Sequence, residues 1–138
     1  MNADQMKEFV ELCKHPAIAG KRGEWLETDH VWWEDTGKPE TCCAGFPTDE
    51  AISGQLAVWL PPVYDYQHPE RGLWGMVNAV EKYLCEPDFE KRGLFTFKSK
   101  RFRFTIRERD GEEVKNFYGS SAPIALAKAI IWQHERTK

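Results

Sequence analysis

Arg101, Arg103 and Arg107 fall on one side of a short alternating run, Arg101-Phe102-Arg103-Phe104-Thr105-Ile106-Arg107. A row of guanidinium groups is suited to contacting phosphates, so this basic strand, residues 98–109, is the sharpest candidate for nucleic-acid contact. Residues 91–109 carry 8 Lys/Arg against Glu108 alone, a net of +7. Successive side chains of a strand point to opposite faces. Phe102, Phe104 and Ile106 therefore share a core face and cannot serve as base-stacking platforms beside the arginines. Only a phosphate-contacting arginine face is left. The acidic sequence pI of about 5.8 opposes strong non-specific binding to nucleic acid. Residues 1–90 carry 7 Lys/Arg and 17 Asp/Glu, a net of −10. That acidic half offers the arginines a partner within the same chain, and internal complementarity is the preferred expectation.

Other chemistry-bearing residues point to no reaction. Cys13-Lys14-His15 is the nearest approach to metal-ligand spacing, but a structural zinc site needs such a pair twice over. Cys13 on a core face beside a helix-terminal His15 is the plainer reading. Cys42-Cys43 lies in a loop where either thiol could be exposed; an enzyme built on that loop is the weakest functional expectation. Cys85 falls on an apolar stripe and reads as buried. With no signal of an oxidising compartment, all four cysteines are expected to be free thiols. Ser120-Ser121 precedes a helix without a G-x-S-x-G context, so capping explains it. The Gly-rich phosphate loops G-x-x-x-x-G-K and G-x-G-x-x-G are missing. No carboxylate pair among Glu34-Asp35, Asp49-Glu50 and Glu112-Glu113 stands out as acid and base. No catalytic residue, metal or cofactor is assigned.

The elements that must position these residues follow from periodicity. Met6, Phe9, Val10 and Cys13 form one helical face over Asp4–Lys14, closed by His15-Pro16. Residues 17–23 read as a loop. Glu24–Trp33 reads as a strand or hairpin arm, Glu34–Glu50 as a long loop, and Gln55–Leu60 as a strand stopped by Pro61-Pro62. Val63–Glu70 reads as a polar connection. Leu73, Met76, Val77, Val80 and Leu84 suggest a second helix over Arg71–Cys85, with Gly72 and Gly75 weakening its first turn. Strands are expected at Leu94–Lys98, Arg101–Glu108 and Glu113–Tyr118, with Asp110-Gly111 as a hairpin turn. A last helix opens at Ser120 or Ser121, has Pro123 in its first turn and runs to about Glu135. The fold class is α+β: an antiparallel sheet of about four to six strands with packed helices, ending β-β-β-α.

The chain of 138 residues is expected to form one domain, 1–138. No apolar run reaches the length of a membrane span, and the N-terminus lacks a signal-peptide pattern, so a cytoplasmic location is expected. Six tryptophans are many for this length. Trp25, Trp32, Trp33, Trp59 and Trp74 are candidates for an exposed patch for a homodimer or protein partner, or for packing beneath the long loops.

Ala57-Val58-Trp59-Leu60-Pro61-Pro62, followed by Leu73-Trp74-Gly75-Met76-Val77, resembles small phage and prophage proteins, in which a Val-Trp-Leu-Pro run precedes a Leu-x-x-Met helix. Gly23-Glu24-Trp25 fits the same type. Phe117 to Ile130 is similar to the strand-then-helix close of phage α-β-α sandwich proteins. The insert Val63–Glu70 and the Cys42-Cys43 loop depart from the pattern. The resemblance implies a phage or prophage accessory protein and carries over no catalytic residue. The expected function is a non-catalytic accessory or protein-interaction role, with nucleic-acid contact through Arg101, Arg103 and Arg107 as the alternative.

Overall fold

A computed structural model describes residues 1–87, 102–109, 111 and 114–136. Helix α1 spans Ala3–Cys13 and buries Phe9, Val10 and Cys13. Asn2 caps it in a reciprocal box with Gln5, satisfying two amide donors that a helix start leaves open. His15-Pro16 ends α1 and at once opens a short helix α2, Pro16–Ala19, where a loop was expected. His15 is its N-cap: its Nδ1 accepts the amide of Ala17 at 3.1 Å, and proline suits the first helical position.

Three strands follow: β1 His30–Trp33, β2 Lys38–Thr41 and β3 Ala57–Leu60. They form an antiparallel sheet in the order β2-β1-β3. Only the last four residues of the expected Glu24–Trp33 strand are extended. The expected loop Glu34–Glu50 instead contains β2, a 3-10 turn at Cys42–Ala44 and the start of helix α3, Asp49–Ser53. Gly37, at φ +63°, closes the β1–β2 hairpin with its amide on the Trp33 carbonyl. A polar strand such as β2 escapes hydrophobic-periodicity reasoning because all four of its residues are exposed.

The second expected helix needs correction. Helix α4 covers only Leu73–Asn78, and Tyr83–Pro87 is strand β4. The apolar stripe is really two patterns joined end to end. Leu73, Met76 and Val77 are buried at helical spacing, whereas Tyr83 is buried, Leu84 exposed and Cys85 half-buried at strand spacing. The strand wins because β4 has a partner in β5, Phe102–Glu108. Pairing β5 with β6, Val114–Gly119, completes a second antiparallel sheet in the order β4-β5-β6. The six described strands are thus antiparallel as expected, but split into two sheets of three. The expected strand Leu94–Lys98 and residue Asp110 lie outside the described residues.

Helix α5, Ala122–Arg136, packs against α1, α2, α4, β5 and β6. Its Ile124, Ala125, Leu126, Ala127, Ala129 and Ile130 are buried, and the small alanines permit close approach. One core draws Trp32, Val58, Trp59 and Leu60 from the first sheet and Tyr83, Phe104, Ile106 and Phe117 from the second. The protein is therefore α+β.

Candidate functional site

Strand β3 delivers the chain to Pro61-Pro62, and the segment that follows doubles back onto α4. The amides of Leu73 and Trp74 bond the carbonyls of Pro62 and Val63, each at 2.9 Å. Within the loop, Asp65 Oδ1 accepts the amides of Gln67 (3.0 Å) and His68 (2.9 Å), forming a local turn. Gly72 lies so close beneath that a Cβ there would meet the Asp65 nitrogen at 2.8 Å. The loop is thus pinned at both ends and in its middle.

That pinning presents aromatic surface to solvent. Tyr66 is 88% exposed and Tyr64 45% exposed, and their rings meet edge to face at 4.5 Å. Below them an open groove of about 390 Å³ is lined by Thr28, Asp29, His30, Pro62 and both tyrosines. Tyrosine offers a large apolar face with a polar tip, which suits it to interfaces. This feature falls in the segment read from sequence as a polar connection. The signal lay in Tyr64-Asp65-Tyr66 between Pro61-Pro62 and Pro69, but a loop aromatic is exposed or buried only by tertiary placement.

The groove floor rests on a buried ion pair that sequence reasoning also missed. Arg71 Nη1 donates to Asp29 Oδ1 at 2.9 Å and Nη2 to Oδ2 at 2.6 Å, a bidentate geometry. Both residues are 6% exposed. Arg71 Nε also donates to the Arg22 carbonyl (2.8 Å) and Nη2 to the Glu24 carbonyl (3.3 Å), while the guanidinium lies 5.2 Å from the Trp59 ring centroid. Asp29 Oδ2 in turn accepts the Leu26 amide at 2.8 Å. Almost every polar atom of the pair is therefore matched, the condition under which a buried pair is tolerable. It ties the irregular segment 20–29 to the 3-10 turn Pro69–Arg71 at the foot of the tyrosine loop.

The residues singled out from sequence are scattered. Arg101 lies outside the described residues. Arg103 is half-buried and Arg107 exposed on β5, and each makes an interaction within the chain. Between them Thr105 is buried at 7% exposure and donates to Asn116 Oδ1 at 2.8 Å. The arginine side of β5 is therefore partly covered. Phe104 and Ile106 are buried on the opposite side, as the two-residue period requires. None of the tryptophans forms an exposed patch: Trp32 and Trp59 are buried, and Trp25, Trp33, Trp74 and Trp132 pack partly buried against the core.

The cysteines divide by environment. Cys13 is buried, and burial pushes its thiol far above the ordinary value. Burial likewise raises Cys85 to about 11, partly offset by a bond from Gln133. Cys42 is buried and raised by desolvation, then by Asp29. Only Cys43 is exposed, 2.9 Å from the Thr41 hydroxyl. A nucleophile needs thiolate, so three of the thiols are poorly suited to attack. His15 faces Glu135 across 3.4 Å, with its Nδ1 already used in capping. Among the described residues, no group of three or more His, Cys, Asp or Glu could hold a metal. No described helix is long and apolar enough to cross a membrane.

No family model matches the chain, and no curated protein or solved structure matches it.

Proposed function

We propose that this chain is a non-catalytic accessory protein of phage or prophage type that acts in the cytoplasm by binding a protein partner through its tyrosine loop. The observation that carries the proposal is the Tyr64–Tyr66 pair, exposed yet held on a pinned loop. Exposed aromatics on a rigid support lose little conformational freedom on binding, and tyrosine is among the residues that dominate interface energetics. The net charge of −10 over residues 1–90 favours a partner presenting lysine or arginine, whose cations would meet the tyrosine faces. A second copy of the chain, through its basic residues 91–109, is one such partner.

The test compares the tagged protein with a Tyr64→Ala/Tyr66→Ala variant, both expressed in the native host and purified under identical conditions. A partner recovered with the parent and lost from the double variant is expected. Equal recovery from both would overturn the tyrosine loop as the binding surface. Light scattering over a concentration series separates self-association from binding of another protein.

A further inference from the structure

The groove beneath the tyrosine loop has a chemistry that narrows its occupant. Its two rings are inclined at 69° with centroids 4.5 Å apart, so they form a notch rather than a flat face. Pro62, also exposed, continues the apolar rim. The rest of the lining is polar, with Thr28, Asp29 and His30 opposite the loop. An amphipathic helix needs an apolar groove for its buried face, and this lining does not supply one. Strand addition needs an open sheet edge, yet His30 belongs to β1, which is paired on both sides.

The hydrogen-bonding groups point the same way. The carbonyls of Asp29, Pro62 and Val63 already accept the amides of Cys42, Leu73 and Trp74. Both Asp29 carboxylate oxygens are committed to Arg71, and Asp65 Oδ1 to the Gln67 and His68 amides. The carbonyls of residues 64–66 accept no bond among the described residues. The side chains able to donate are the hydroxyls of Thr28, Tyr64 and Tyr66, the Gln67 amide and the His30 ring; all line the groove and have no hydrogen-bond partner among the described residues. A ligand rich in acceptors and poor in donors fits this set. Proline is that residue, since its backbone keeps a C=O and lacks the N–H. Charge selects further. Asp29 is neutralised by Arg71. No lysine or arginine lines the groove, and Asp65 has no ion-pair partner among the described residues, so one carboxylate is left uncompensated.

We infer that the groove takes a proline-rich segment in the polyproline II conformation, with a lysine or arginine placed to meet Asp65. The inference rests on the tyrosine loop being the binding surface and names what that surface binds. Polyproline II repeats every three residues, about 9 Å, so prolines at i and i+3 present a ridge to the tyrosine notch and its rim. Aromatic-lined grooves dock such segments because the ligand is already ordered. The loop, held through Pro62, Val63 and Asp65, is ordered as well, so little freedom is lost on either side. The basic stretch 91–109 of a second copy contains no proline, so the occupant belongs to another protein.

Carbon–proton NMR of the tyrosine rings in the purified full chain tests the inference. Three capped peptides are titrated at constant ionic strength: a run of prolines followed by arginine, the same peptide with alanine in place of every proline, and the proline peptide ending in glutamate. The Tyr66 signals are identified by their absence in Tyr66→Ala, a change at an 88% exposed position that leaves the core untouched. The Tyr64 and Tyr66 rings are expected to shift along a saturable curve with the proline–arginine peptide, while Tyr83, buried in the core, stays in place. Tyr66→Ala, read on the Tyr64 ring, should weaken that binding by about fivefold or more, as for a central interface aromatic. Asp65→Asn keeps the Oδ1 acceptor of the turn and removes the charge; it should weaken the arginine peptide by about two- to fivefold, as for an exposed ion pair. No saturable shift with the proline–arginine peptide, equal binding of the alanine peptide, or undiminished binding in Tyr66→Ala would each overturn the proline ligand. Equal binding of the arginine and glutamate peptides would remove the cation from it. If the proline ligand falls while capture of a partner still depends on Tyr64 and Tyr66, the loop stands as the binding surface and only its ligand class is wrong. Equal capture by the parent and the double variant is instead the failure of the loop itself.

Discussion

Arg71 and Asp29, 42 residues apart in sequence, form a two-pronged ion pair that is almost wholly buried. The pair fastens two stretches that have little regular structure of their own. Its energetic signature is asymmetric. Breaking it strands a charge in the interior at a cost of about 3–5 kcal/mol, whereas replacing both members with apolar residues removes the stranded charge. Arg71→Met or Asp29→Leu alone is therefore expected to lower stability in urea by that order, and the double substitution by clearly less than the sum of the two. Additive losses in the double variant would mean that the residues act independently.

Gly75 is the closest approach in the α4 region. A Cβ there would collide with the Pro69 carbonyl, which is rigid backbone. Gly75→Ala raises helix propensity, yet is expected to lower the melting temperature, because the 3-10 turn must move away; overpacking costs about 1–3 kcal/mol. A stabilised variant would show that propensity outweighs the contact.

The thiols should react in sequence. Cys43 is expected to label first with an aromatic disulfide reagent in native protein, and Cys13, Cys42 and Cys85 only as the chain opens. The raised thiols also set an alkaline limit. In the unfolded chain Cys85 ionises around its ordinary 9.0, but in the fold it keeps its proton up to about 11. Between those values the unfolded state binds fewer protons, so stability falls as pH rises. Melting temperature is expected to decline over that window, and less steeply in Cys85→Ala. An identical decline in that variant would assign the effect to other groups.

The legible parts of the sequence were those with a single period. α1, α5 and the β5–β6 hairpin were evident because Phe9, Val10 and Cys13, or Phe104 and Ile106, repeat at one spacing. Where two periods abut, as at Val80 between α4 and β4, the stripe read as a longer helix. The Asp29–Arg71 pair left no trace because neither residue belongs to a pattern; it exists only once the chain brings residues 29 and 71 together. The tyrosines were visible as residues, but their exposure depends on how Pro62 and Val63 bond to α4.

The arginine strand gives a further test. With Thr105 buried between Arg103 and Arg107, no salt-sensitive mobility shift is expected on a DNA or RNA panel at low salt. A shift abolished by Arg103→Glu with Arg107→Glu would favour the nucleic-acid alternative.

α5 touches three other helices and two strands of the second sheet. A ribosome releases those partners before it releases α5. Until then Phe9, Ile18 and Phe104 lack a wall of their pocket, and the emerging chain holds unfinished apolar surface. Assembly of the core is thus timed by its latest described helix, and the two sheets should be acquired, and lost, in a single concerted step.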